Sequence, residues 1–353
     1  MTKKRKMEII IIALSVVLVI GVIAGISVIA VNHNKKHGWK TNPKFDLSLP
    51  VLGENGWYLV FEDDFNGNSL NENIIFGERY TGNREIWTTS PHAIRWKSDD
   101  EARPEQGCWW CPEMVEVKNS CAVVHSRYEE NHSCSGDCPK KGRFTGGIET
   151  RIIRGDNSEN KGTADEMLFS QAFGYFECSV KFPDSDGLWS AFWLQSPNQR
   201  IVGNDGEDGT EIDVYESAFR KSKTPKMGHA LLWDGYGAHG RVDDYIGEVD
   251  ADLYDGFHTF ALKWTPDYYV FYIDGKPTWA TDGGGVSKVR EFLRLTVEID
   301  AGDNVGPHGQ KMGVFSGENT DFLIEYVKVW QNESYEQYIK DDSYYTGNYD
   351  PAN

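Results

Sequence analysis

Three carboxylic acids fall within six residues in Glu211-Ile212-Asp213-Val214-Tyr215-Glu216, a run otherwise made of β-forming residues. Strands disfavour Asp and Glu, and like charges along one face repel. A strand that keeps three of them therefore points to chemistry, the plain alternative being a solvated acidic face. Period-two alternation sends Glu211 and Asp213 to one side and Ile212 to the other. Simple counting sends Glu216 the wrong way. A β-bulge at Val214-Tyr215 resets the alternation and brings it back. Two carboxyls held about 5–5.5 Å apart are what double displacement at a sugar carbon requires, one as nucleophile and one as acid/base. Four effective strand steps put the two Glu Cα atoms roughly 13 Å apart, a gap that long side chains leaning together on a curved sheet can close. Asp213 between them would hold their proton affinities apart and leave one Glu protonated near neutral pH.

The elements that must position this run read as strands. Phe173–Phe182, Leu188–Gln195, Phe260–Trp264, Tyr268–Ile273 and Phe322–Trp330 alternate between turn residues, and Asp274-Gly275 is a hairpin signal. No long amphipathic helix interrupts them. The pattern predicts an all-β fold, a β-sandwich or jelly roll. Ser90–Pro112 and Tyr128–Lys141 break the alternation and read as elaborated loop. There Trp109 and Trp110 either extend a binding surface or belong to a stapled flap.

The bulged E-x-D-x-x-E resembles the active-site signature of glycoside hydrolase family 16, the laminarinase and lichenase-like β-glucanases. Other stretches are similar to that family in the same order: Leu59–Gly67, Phe173–Glu177, Gly187–Leu194, Phe257–Gly275 and Leu323–Trp330. The resemblance spans about residues 56–331. It implies a curved, concanavalin-like jelly roll and endo-acting, retaining hydrolysis of a β-1,3- or β-1,3-1,4-glucan. It also implies Glu211 as nucleophile, Glu216 as acid/base and Asp213 as the assisting carboxylate. Trp193 matches a ring beneath the sugar beside the cleaved bond, since a flat indole suits the apolar face of a pyranose; Trp189 lies close by. Trp233, Glu298, and the pair Asn83 and Glu85 are further substrate-binding candidates. Arg294, Thr296, Glu298 and Asp300 alternate with apolar residues and give their strand one polar face. Asp64 and Glu325 match a structural calcium site of some members; no cofactor is otherwise required. The chain departs from the family at Leu232, where many members have His, at Ser190, at the strand of Glu298 and in the cysteine-bearing insertion. These departures leave the glycan open. A galactan hydrolase, a cell-wall transglycosylase and a non-catalytic glycan-binding surface protein are the alternatives.

Charge and cysteines set the setting. The net charge of −18 hides an uneven distribution: beyond residue 40 the chain holds 29 basic and 53 acidic residues. That surface repels phosphate backbones and excludes nucleic acid as partner, but not a neutral polysaccharide. Residues 9–31 carry no charge and follow the basic segment 1–8. As a helix they would span roughly 34 Å, enough for a bilayer. The expectation is a transmembrane signal anchor, then a linker (32–50), an extracellular hydrolase domain (51–333) and a polar tail (334–353). Cleavage as a signal peptide, giving a secreted protein, is the alternative. Nothing in the sequence demands more than a monomer. Cys108 and Cys111 form C-W-W-C, and Cys134 and Cys138 form C-S-G-D-C. They read as disulfides of an exported insertion or as zinc ligands. Cys121 and Cys178 read as core residues, paired or free.

Overall fold

The computed structural model describes residues 40–42, 44–91, 93–96, 107–136, 138–152, 166–216, 226–299, 313–315, 317–318, 320–345 and 347–349. Residues 9–31, expected to cross a membrane, and Asp300 lie outside them. Among the described residues no helix is long and apolar enough to cross a membrane.

Two antiparallel sheets carry the fold. A seven-stranded sheet runs in the order Arg241–Glu248, Lys226–Trp233, Glu211–Glu216, Leu188–Gln195, Phe292–Ile299, Gly147–Glu149, Thr88–Thr89. A nine-stranded sheet is built around Phe322–Asn332, which pairs with both Trp57–Asp63 and Gly174–Lys181. Their facing sides interdigitate in one core. Phe192, Leu194, Ile212, Leu231, Leu293 and Leu295 come from the first sheet, and Phe61, Phe176, Phe260, Leu262, Phe271 and Val329 from the second. The period-two pattern of each strand places these residues inward and the intervening ones outward. The Asp274-Gly275 turn joins Tyr269–Ile273 to Lys276–Thr281, with both residues at positive φ (48° and 69°). That conformation matches the right-handed twist of the flanking strands.

Two expectations are corrected. The insertion is not all loop: Ala93–Trp96, Cys108–Trp110, Gly142–Thr145 and Arg127–Glu129 form a four-stranded sheet with one parallel pairing, while the described residues of 130–141 carry no strand. Strands of three or four residues are too short for a period to show. The end of the expected linker is part of the domain, because Phe45 and Leu47 cover the outer side of the nine-stranded sheet. Lys263 Nζ also donates to the carbonyls of Asp46 (2.6 Å) and Ser48 (2.7 Å). The described part of the polar tail packs back on the domain. Asn348–Tyr349 pairs with Ile201–Val202, and Asn198 Nδ2 donates to the Asp342 carbonyl at 2.6 Å.

Candidate active site

The acid-bearing strand Glu211–Glu216 lies between Leu188–Gln195 and Lys226–Trp233. Its register with Leu188–Gln195 pairs Asp213 with Trp193 and Tyr215 with Phe192, so Val214 is the extra residue; Glu216 then faces Ala191. The ladder to Lys226–Trp233 shifts over the same stretch. Ile212, Val214 and Tyr215 are all buried in the main core. Two consecutive residues thus point inward, and Glu211, Asp213 and Glu216 share the outer face. The expected bulge is there, and it does what the counting required.

A histidine holds the bulge from beneath. His229 is fully buried; its Nδ1 donates to the Val214 carbonyl (2.6 Å) and its Nε2 meets Thr278 Oγ1 (2.8 Å). The Val214 carbonyl, displaced from regular pairing by the bulge, thereby gains a donor. Nothing in the acid run itself points to His229. Its period-two phase with Leu231 on an apolar strand was the available signal.

Glu211 is held by two donors. Gln195 Nε2 lies 3.0 Å from Glu211 Oε2, and the Tyr236 hydroxyl makes a short hydrogen bond to the same oxygen. Gln195 Nε2 also reaches Tyr236 at 2.8 Å. Tyr236 is turned back over Glu211 because the strand Lys226–Trp233 ends in Asp234 and Gly235, both at positive φ (59° and 84°). Gly235 N donates to the Gln199 carbonyl (2.9 Å) and fixes that turn. Burial pushes Glu211 up to about 7, Glu216 adds to the rise, and the Tyr236 hydrogen bond opposes it. Asp213 is raised well above the carboxylate range by burial, with Glu216 and then Glu211 adding like charge. The three carboxyls therefore share fewer than three charges at neutral pH.

Beside them runs a buried ionic row. Arg294 is fully buried, its Nε 2.9 Å from Glu149 Oε2, and Arg151 Nε also meets Glu149 at 2.9 Å. Neither Arg294 Nε nor Nη2 has an aligned hydrogen-bond partner among the described residues, so the contact to Glu149 is an ion pair. Burial next to Arg151 pulls Arg294 down to about 9, while Glu149 works against it. The Arg294 guanidinium stacks 3.9 Å from the Trp193 ring centroid.

Trp193 is 7% exposed and donates from Nε1 to Thr296 Oγ1 (3.0 Å). It packs with Trp110 and Ala191, and Trp189 packs against the three. Trp110 is the part of the insertion that reaches this face, tied by Nε1 to the Val297 carbonyl (2.8 Å). Trp109 instead joins the insertion's own core. Arg95 stacks 4.1 Å from the Trp110 ring centroid and pairs with Glu298, Nε to Oε1 at 2.8 Å. Glu298, expected to meet substrate, is thus engaged by the insertion. Arg95, Gln195 and Tyr236 were missed, because nothing local marks a residue that arrives from another segment.

The remaining candidates sit elsewhere. Trp233 belongs to the main core, on the same side of its strand as Met227 and Leu231, and its neighbour Leu232 faces Glu211 across the ladder. The expectation that Trp233 lines the binding face is corrected by that alternation. Asn83 donates to the Leu168 carbonyl (3.2 Å) and lines a groove of about 960 Å³ with Tyr80, Arg290 and Lys340. None of the three carboxylates lines that groove, and Glu85 is exposed outside it. Asp64 and Glu325 both line a groove of about 510 Å³ that also holds Asn66 and Tyr326. Among the described residues the two do not join a converging group of three metal-ligating side chains.

The family model for glycosyl hydrolases family 16 matches residues 140–288. A glucan endo-1,3-beta-glucosidase of Cryptopygus antarcticus is 31% identical over 236 residues, covering 65% of this chain and 70% of that protein. An endo-1,3-1,4-beta-glycanase of Rhizobium meliloti is 27% identical over 63% of this chain; the matched region spans 46% of that relative's length. Among solved structures, the catalytic domain of an endo-1,3-beta-glucanase (laminarinase) from Thermotoga petrophila superposes with a TM-score of 0.53 at 19% identity. It covers 79% of this chain and 100% of its own.

Proposed function

The chain belongs to glycosyl hydrolase family 16, and from that premise we propose that it is an endo-acting, retaining β-glucan hydrolase. The observation that carries the proposal is the bulge at Val214-Tyr215, which gathers Glu211, Asp213 and Glu216 on one face. In this reading Glu211 attacks the anomeric carbon and Glu216 protonates the leaving oxygen. Water, activated by Glu216, then releases the glycosyl-enzyme. Tyr236 and Gln195 hold the attacking carboxylate in one rotamer. Asp213 keeps a proton because Glu216 and Glu211 flank it in a dry site. Giving its proton to the leaving oxygen leaves Glu216 ionised and ready to act as base, so the negative charge passes from Glu211 to Glu216 while Asp213 stays protonated between them. Trp193 and Trp189 offer the apolar surface on which the sugar stacks.

The wider setting belongs to the same proposal. Residues 9–31 anchor the chain in a cell membrane with the sandwich outside, the polysaccharide is its partner, and it acts as a monomer. Asp64 and Glu325 hold a structural calcium ion, whose oxygen-ligand preference suits the carboxylates there.

The test is hydrolysis by the full-length chain of laminarin and mixed-linkage glucan, with agarose and carrageenan as comparison substrates. Proton NMR follows the first product. Release of β-configured oligosaccharides from either glucan is the expected result. An inverted first product would refute the close-carboxylate mechanism, and cleavage of the galactans alone would move the substrate away from glucan.

A further inference from the structure

The insertion contains a cluster that the proposed chemistry does not use. Cys108 and Cys111 are separated by two residues yet point to different cores. Cys108 lies in the main core, its sulfur accepting from Ile299 N at 3.3 Å. Cys111 is fully buried in the insertion's own small core with Met114 and Phe144, against which Trp109 and Cys138 pack. In that small core the ligand atoms of Cys111, His132 and Cys138 all lie within 4.8 Å of one another. Cys134 is bonded to Cys138, so its sulfur adjoins the same cluster.

A second observation points to a ligand. The His132 side chain is 3% exposed and its ring stacks on Phe144, with centroids 3.8 Å apart and planes 15° apart. Its Nδ1 lies 2.7 Å from Glu129 Oε2, and its backbone N donates to the Lys140 carbonyl. A carboxylate at Nδ1 fixes the proton there and leaves a lone pair on Nε2. That nitrogen is buried with no hydrogen-bond partner among the described residues. Leaving a buried nitrogen so is unfavourable. A carboxylate behind an imidazole whose other nitrogen faces thiols is the arrangement that orients a metal-binding histidine.

We propose that Cys111, His132, Cys134 and Cys138, with all three cysteines as thiols, form a structural zinc site. The Cys134-x-x-x-Cys138 spacing falls within the range of zinc knuckles, and three sulfurs with one imidazole nitrogen complete a closed tetrahedron. The donor set lacks carboxylate oxygen and favours a borderline-soft ion over calcium or magnesium. The disulfide and the zinc site exclude one another, because each uses both Cys134 and Cys138. Passing from the first to the second needs a dithiol reductant, which supplies two electrons and two protons to the sulfur–sulfur bond and is itself oxidised to a disulfide. The zinc ion then displaces one proton from each of the three thiols to solvent. The ion would tie together the end of Cys108–Trp110, the 3₁₀ turn Pro112–Met114 and the segment between Arg127–Glu129 and Gly142–Thr145. Glu113 already stitches two of these pieces, accepting from Ser135 N at 2.7 Å. Trp110, carried on the first strand, would be held in its place beside Trp193.

The test uses the full-length chain, purified with and without a dithiol and passed through a desalting column. Metal is measured by plasma mass spectrometry, and cobalt(II) serves as the spectroscopic probe. The reduced chain should retain about one zinc per molecule, and cobalt should give the intense visible bands of a tetrahedral thiolate centre. Cys111→Ser and His132→Gln should each cut retention to below about a tenth, with Cys108→Ser unchanged. In the wild-type chain, zinc should also protect Cys111, Cys134 and Cys138 from alkylation and raise the melting temperature, readouts that do not depend on a variant folding. A reduced, folded chain that retains no zinc, gives no tetrahedral cobalt bands and alkylates equally with and without zinc would overturn the proposal. So would zinc retention that Cys111→Ser and His132→Gln leave intact.

Discussion

Two segments reach the outer face of the seven-stranded sheet by different routes. Glu211–Glu216 is an interior strand, bonded on both sides, and its side chains are aimed by ladder register and one bulge. Trp110 and Arg95 come from a separate four-stranded sheet and enter by packing and one ion pair. In the first region the chemistry is fixed by the backbone, so a single slip of register would turn every acid around. In the second it depends on how firmly a small appended core is held. Catalytic rate should therefore follow the bulged strand, and glycan affinity should follow the insertion.

The largest expected effect tests the first half of that contrast. Glu211→Gln keeps the shape and the contact to Gln195 but removes the nucleophile; kcat should fall about 10⁴-fold with the fold intact. Full activity in this variant would show that the strand's acids are not the working groups. His229→Leu comes next. It strips the donor from the Val214 carbonyl, which the core then leaves unsatisfied. Stability should drop by about 1–3 kcal/mol in urea denaturation. Because a displacement of about 1 Å can cost about 100-fold in rate, kcat should fall by roughly 10- to 100-fold. An unchanged kcat would mean that strand pairing alone holds the bulge.

The same contrast explains what the sequence could tell. The Glu211–Glu216 run announced itself, because acids in an apolar period-two pattern conflict with local preference and their odd spacing has one cheap solution. The hairpin at Asp274-Gly275 and the strands Leu188–Gln195 and Phe322–Asn332 were legible for the same reason, each obeying a local rule over several residues. Trp233 was misplaced because a tryptophan next to a turn looks alike whether it faces core or glycan; only the register of Lys226–Trp233 decides. Tyr236, Gln195 and Arg95 were invisible, since each acts on a residue 16 to 203 positions away. The insertion's strands were too short to alternate visibly, and the fate of its cysteines depends on how Cys111 and His132 converge.

A smaller effect probes the insertion. Trp110→Leu removes the indole between Arg95 and Arg294 and its bond to the Val297 carbonyl. If the insertion serves affinity, KM for glucan should rise by about 3- to 10-fold with kcat nearly constant, the sign of lost uniform binding. A loss of kcat at constant KM would instead tie Trp110 to the carboxylates and dissolve the contrast.

The finest test is a pH profile of Tyr236→Phe. Glu211 must be ionised to attack, and burial together with Glu216 has already raised it to about 7. The wild-type kcat/KM should therefore climb as pH rises through about 7. Tyr236 donates to the ionised form and so lowers the proton affinity; phenylalanine removes that donor and leaves Gln195 alone at the carboxylate. The sign follows: the variant's Glu211 holds its proton to higher pH, and the acidic limb should move up by about one pH unit. Well above that limb Glu211 is ionised in both proteins, and their rates should converge to within about 3-fold if the hydroxyl acts chiefly on this equilibrium. A limb that stays in place while the rate falls at every pH would make Tyr236 a group that orients Glu211 rather than one that sets its charge. The proton balance of Glu211 would then rest on burial and Glu216, opposed by Arg294 and Arg95.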